Sequence, residues 1–107
     1  MSPILPRDFT GQENLVAEAL SELGVGYVQQ LEFGTYTVDF FLPDNGLVIE
    51  ADGFWGHLRK ADRIRDAALL ETNIEIKDIL HIKSTTKSGI LQEIQEHFGW
   101  NREDSKN

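Results

Sequence analysis

The chain predicts a mixed α/β domain, a four-stranded sheet with helices on its faces, and three observations carry that reading. Hydrophobic periodicity switches between helical and strand spacing in the order helix, three strands, helix, strand, helix. An Asn45-Gly46 pair between two apolar runs marks a hairpin. The helix between the third and fourth strands acts as a crossover, so those two strands run parallel beside an antiparallel meander. At 107 residues, with no repeat or low-complexity linker, the chain is expected to form one domain with a core over 10–99 and a polar tail over 101–107.

Each element has a local cause. Thr10-Gly11-Gln12-Glu13 has the form of a capping box, followed by Leu15, Val16, Ala19, Leu20 and Leu23 at helical spacing and a stop at Gly24. Residues 27–33 and 35–42 read as strands broken at Gly34, and 47–51 as the third. Residues 58–72 predict a helix whose buried stripe is Ala61, Ile64, Ala68 and Leu69. Residues 75–82 return as a strand, and Ser84 or Thr85 is expected to cap a last helix with the stripe Ile90, Leu91, Ile94 and Phe98, ending at Gly99.

Composition narrows the function classes. There is no cysteine, which excludes disulfides and cysteine-ligated zinc and fits a cytoplasmic, intracellular protein. No stretch is long and apolar enough to span a membrane, and the first seven residues lack the apolar run of a signal peptide, so no membrane partner is expected. A net charge of −8 argues at first sight against nucleic acid. Its distribution changes the argument. Residues 1–58 hold one basic residue against nine acids, whereas 59–107 hold nine of each, and Arg59, Lys60, Arg63 and Arg65 stand together directly after His57. Taken alone these cations read as a solvated helix face; beside a carboxylate cluster they suit a metal-dependent phosphodiesterase.

The carboxylates come from the hairpin. Side chains alternate faces along a strand, and residues opposite one another in an antiparallel pair share a face. A two-residue turn at Asn45-Gly46 sets Asp39 opposite Asp52, and a loop over 43–46 sets Asp39 opposite Glu50; either register leaves Asp39, Glu50 and Asp52 on one face. Only an odd-length loop or a bulge separates them. Three clustered carboxylates repel one another and lose hydration, a cost that a hard cation such as Mg²⁺ offsets. The bland reading is solvated edge-strand acids that discourage aggregation. Against it, Glu50 interrupts Leu47-Val48-Ile49, which reads as a buried strand.

The element order, with Asp39 before a short turn and Glu50-Ala51-Asp52 on the next strand, resembles the PD-(D/E)xK restriction-endonuclease-like superfamily. The runs Val38-Asp39-Phe40, Glu50-Ala51-Asp52-Gly53, Asp62-Arg63 and Ala67-Ala68-Leu69-Leu70 are similar to small bacterial endonuclease-like domains related to the very short patch repair endonucleases. Gly53-Phe54-Trp55-Gly56-His57 is similar to the glycine, aromatic pair and histidine loop of the repair enzymes themselves. The resemblance covers 10–82, and it implies a restriction-endonuclease-like fold, a DNA substrate and Mg²⁺, for which Mn²⁺ can substitute.

Residue by residue, the resemblance makes Asp39 the metal-binding aspartate, Glu50 the second acid and the Ala51 carbonyl a backbone ligand. His57 matches the histidine that activates water, and Asp52 would orient it or an outer-shell water. Glu13 stands where many members carry an acid on the first helix, although completing the capping box with Thr10 explains it equally well. Phe54 and Trp55 match aromatic residues that wedge into DNA; packing the loop onto the core is their bland alternative. Arg59, Lys60, Arg63 and Arg65 are the candidates for DNA phosphates. Asp62 and Asp66 read most simply as helix-surface partners of those arginines, and His81 and His97 as structural or solvated groups.

The chain departs from the pattern in two places. Asp52 occupies the position of the superfamily's motif lysine, and the repair enzymes' zinc-binding cysteines are absent. The expected activity is metal-dependent DNA endonuclease, cutting one strand or acting on a particular DNA structure, with a homodimer supplying base contacts that so small a chain lacks. The alternative is a non-catalytic binding module on the nuclease fold, or an acidic DNA mimic.

Overall fold

A computed structural model describes residues 10–51 and 60–99. Residues 1–9, 52–59 and 100–107 lie outside the described residues, and with them Asp52, Phe54, Trp55, His57 and Arg59. The elements follow the expected order: α1 Thr10–Glu22, β1 Val28–Phe33, β2 Tyr36–Leu42, β3 Leu47–Ala51, α2 Lys60–Thr72, β4 Asp78–Ile82 and α3 Lys87–Phe98. They build one sheet in the order β1-β2-β3-β4, antiparallel across the first two pairs and parallel between β3 and β4.

Two apolar clusters sandwich that sheet. Val16, Ala19 and Leu20 of α1 and Ile90 and Ile94 of α3 pack on Phe40, Leu42, Leu47, Ile49 and Ile82. On the opposite face Leu69 of α2 packs with Phe33, Val38, Phe41, Val48 and Ile76. The central strand β3 therefore begins with the apolar run Leu47-Val48-Ile49 before Glu50, because both of its faces are covered. α1 stops where Gly24 takes φ 72°, and the Gly24 and Val25 amides bond back to the Ser21 and Leu20 carbonyls. Only a residue without a Cβ enters that left-handed conformation cheaply, so the glycine sets the helix end.

The hairpin adopts the longer of the two loops considered, with Leu42 paired to Leu47 and Phe40 to Ile49. One feature departs from regular alternation. Val38 and Phe40, two residues apart, join opposite clusters, so β2 turns over about Asp39. Across the strand pair at that point stands Gln30, with φ 53° the one non-glycine residue in the left-handed region among the described residues.

Three local expectations are corrected. Ile64 is not part of a buried stripe; it is 60 % exposed, and Leu69 is the fully buried apolar side chain described on α2. The helix is rotated so that Arg65 and Asp66 meet the sheet, since a buried acid on that face requires polar partners. The cap of α3 is Thr86, which accepts from the Gly89 amide at 3.2 Å, because Ser84 is held through its amide and hydroxyl by Glu93. β4 begins at Asp78 rather than residue 75, since the Lys77 amide is bonded to the Gly46 carbonyl of the hairpin turn at 2.7 Å.

Candidate active site

The hairpin, α2 and β4 converge on Glu50. It is 8 % exposed, the buried charged residue among those described. Its place near the end of a central strand, on the α2 face, removes it from water. Burial pushes its carboxyl up to about 8, with the neighbouring Asp39 charge adding to the rise and Arg65 and His81 opposing it. At neutral pH the isolated site therefore keeps a proton on Glu50. Arg65 still bonds it, because the carbonyl oxygen of a neutral carboxyl also accepts a hydrogen bond, though a weaker one than a carboxylate accepts.

Asp39 is fixed by a different device. Its Oδ2 accepts from the Ala51 amide at 2.8 Å, so the carboxylate reaches across to the next strand at the point where β2 turns over. The turn-over has a conformational cost at Gln30 of about 1 kcal/mol. At that point Asp39 reaches the Ala51 amide of β3, beside Glu50.

Around the two acids lies an alternating ring of charge. Arg65 Nη2 donates to Glu50 Oε2 at 3.2 Å and to the Thr37 carbonyl at 2.9 Å. Its Nη1 stands 3.7 Å from Asp66 Oδ1, and the guanidinium carbon lies 5.7 Å from the centre of the Tyr36 ring. Asp66 Oδ2 meets His81 Nε2 at 2.6 Å, and His81 is the register partner of Glu50 across the parallel pair. Asp66 Oδ1 is buried with no hydrogen-bond partner among the described residues. Glu13, on α1, accepts from Gln30 at 3.5 Å, which places it beside the residue opposite Asp39.

The structure thus brings Asp39, Glu50, the Ala51 backbone and Arg65 together, with Glu13 at the flank, and leaves Arg63 exposed on α2. The side chain of Lys60 lies outside the described residues, as do Asp52, Phe54, Trp55, His57 and Arg59. Sequence reasoning missed the Asp66–His81 pair. The signal for it was the crossover: a strand parallel to β3 must set one of its own residues beside Glu50, and Ile79 and His81 share the α2 face with Val48 and Glu50. Which residue it would be depends on a register that local periodicity does not carry.

Among the described residues no three acidic or histidine side chains form a metal cage by themselves. Asp39 and Glu50 nonetheless supply what Mg²⁺ requires of a protein, one or two hard carboxylates with water and substrate oxygens completing the shell. The Glu50 carboxyl is raised by burial first and by the Asp39 charge second, and a divalent cation would offset both.

The architecture has a counterpart among solved structures. The catalytic domain of the homing endonuclease I-Bth0305I aligns over 84 % of this chain and 91 % of its own, with a TM-score of 0.55 and 20 % identity. The fold is nuclease-like. No protein-family model and no curated protein sequence matches the chain. Among the described residues no helix is long and apolar enough to cross a membrane.

Proposed function

We propose that the chain is a metal-dependent DNA endonuclease of the PD-(D/E)xK type, related to the very short patch repair endonucleases, that hydrolyses a phosphodiester bond. The observation that carries this reading is the pair Asp39 and Glu50, set together on adjacent strands of a nuclease-like fold at a cost in desolvation that a purely structural role does not repay. Asp39, Glu50 and the Ala51 carbonyl would hold Mg²⁺, or Mn²⁺ in its place. When bound, such an ion polarises the phosphate and makes water more acidic. His57 accepts the proton of the attacking water on a ring nitrogen, and Asp52 and Glu13 orient the histidine and the water. One P–O bond forms to the water oxygen as the P–O bond to the leaving sugar oxygen breaks. Arg59, Lys60 and Arg63 contact phosphates, while Phe54 and Trp55 meet the bases. The chain works inside the cell, and pairing of two copies supplies further DNA contacts.

Supercoiled plasmid incubated with the protein in Mg²⁺, Mn²⁺ or EDTA tests the reading. Metal-dependent nicking or linearisation that Asp39→Ala lacks supports it. A second reading, a non-catalytic module or DNA mimic on the same fold, draws on Asp52 in the lysine position and on the acidic 1–58 segment. Wild-type protein that neither cuts plasmid, branched or mismatched DNA nor gains stability from Mg²⁺ would favour it.

A further inference from the structure

We propose that Arg65 is the built-in cation of this site, holding Glu50 until a divalent ion takes the carboxylate and then remaining beside the scissile phosphate in place of the lysine absent at position 52. This rests on the endonuclease reading and assigns Arg65 a role within it distinct from that of a surface phosphate contact.

The geometry distinguishes the two roles. An arginine that serves a DNA backbone keeps its guanidinium in solvent and its donors unspent. The Arg65 side chain is only 23 % exposed, and Nη2 is divided between Glu50 Oε2 and the Thr37 carbonyl. Tyr36 lies under the guanidinium as a cation–π partner. The planar fork suits such a shared, partly buried position better than an ammonium does.

Arg65 also has a second anionic anchor. Asp66 Oδ1 lies 3.7 Å from Nη1 and has no hydrogen-bond partner among the described residues, while its other oxygen is pinned by His81 at 2.6 Å. A small rotation of the guanidinium transfers it from Glu50 to Asp66 without returning it to water. Thr37 and Tyr36, on β2 just before Asp39, hold the pivot in both positions. Arg65 and the divalent ion thus compete for Glu50 Oε2, but the arginine's positive charge is retained within the site when it loses. Asp66 and His81 act through Arg65 and are positioning residues in this arrangement.

The experiment is Mn²⁺ binding by calorimetry without DNA, on the full chain and on Arg65→Gln and Arg65→Lys, with single-turnover plasmid cleavage at saturating Mn²⁺ alongside. At a pH where Glu50 is ionised in both proteins, removing a competing unit charge a few ångströms from the ion should tighten Mn²⁺ binding about tenfold in Arg65→Gln. Cleavage by the same variant should fall about 100-fold, the usual loss when a preorganised cationic donor is removed. Arg65→Lys keeps the charge but not the planar fork, and should fall between Arg65→Gln and the wild type in both. Mn²⁺ affinity that is unchanged or weaker in a folded Arg65→Gln overturns the assignment, as does cleavage at the wild-type rate. A merely structural arginine would weaken both together. Should Arg65→Gln fail to fold, a Mg²⁺ titration of the unaltered chain followed at its arginine guanidinium NMR signals decides: the Arg65 signal should move and saturate with the metal, and a signal that stays fixed at saturation refutes the exchange. Mn²⁺ binding and metal-dependent cleavage by the unaltered chain without these Arg65 effects refute this inference alone, whereas the absence of both from the unaltered chain removes the endonuclease reading as well.

Discussion

Glu50→Gln should make the protein more stable at pH 8 and above while abolishing cleavage, and the size of the gain follows from where Glu50 sits. An unfolded glutamate loses its proton near the ordinary 4.5, but burial beside Asp39 keeps the native carboxyl protonated up to about 8. Between those values the native state holds a proton that the unfolded state has released, so stability falls as pH rises and levels off above 8. Roughly 3.5 pH units at about 1.4 kcal/mol each sets an upper bound of about 5 kcal/mol. Water penetration and relaxation around the ionised group reduce this, so a loss of about 2–5 kcal/mol is expected, a large share of the stability of a domain this size. Glutamine keeps an oxygen for Arg65 and cannot ionise. Urea unfolding of both proteins from pH 5 to 9, without metal, measures the difference, and the wild-type curve should fall away from the variant's across that window. Parallel curves would refute the reasoning, because they would mean that Glu50 ionises in the fold as easily as in the open chain.

Other consequences can be checked alongside. Asp39→Ala and His57→Ala should each abolish detectable cleavage in proteins that remain folded, with Asp39→Ala costing about 1 kcal/mol for the orphaned Ala51 amide by urea unfolding; wild-type cutting by both variants would remove the site assignment. Mg²⁺ at 100 times its Kd should stabilise the wild type by about 2.7 kcal/mol in thermal melts, and this gain should vanish in EDTA and in Asp39→Ala. The affinity for Mg²⁺ should rise from pH 6 to pH 9 with release of a proton from Glu50, detectable by calorimetry in buffers of different ionisation enthalpy. Gly46→Ala should destabilise the fold by about 2 kcal/mol or more, since the residue has φ 66° and an added Cβ would lie 2.9 Å from the Glu75 carbonyl; unchanged urea unfolding would contradict that.

The parts of this molecule that could be read from sequence are those governed by near neighbours. Alternation and helical spacing located all seven elements, and the even loop after Leu42 set Asp39 and Glu50 on adjacent strands. Long-range partners decided the rest. Ile64 belongs to a plausible apolar stripe, but Glu50 needed a cation above it and α2 turned Arg65 inward instead. Ser84 has the chemistry of a cap, but Glu93 captured it and left the task to Thr86. His81 looked like any polar residue in an edge strand because its neighbour Glu50 lies 31 positions away in the chain, joined only through a crossover.

That crossover ends on a fixed mark. The Gly46 carbonyl accepts from both the Lys77 and Asp78 amides, at 2.7 and 3.3 Å, and from there β4 runs beside β3 with Leu47 against Asp78 and Glu50 against His81. The hairpin turn therefore acts as the zero of a ruler along which the histidine is measured off. Chain length is free on one side of that zero and fixed on the other. Residues gained or lost between Asn73 and Lys77 can be absorbed as loop while the contact with Gly46 holds, leaving the site intact. A single insertion between Asp78 and His81 instead slides Leu80 against Glu50 and strands the histidine on the wrong face. Divergent relatives of this chain should accordingly vary in length before Lys77 and keep the count from Asp78 to His81.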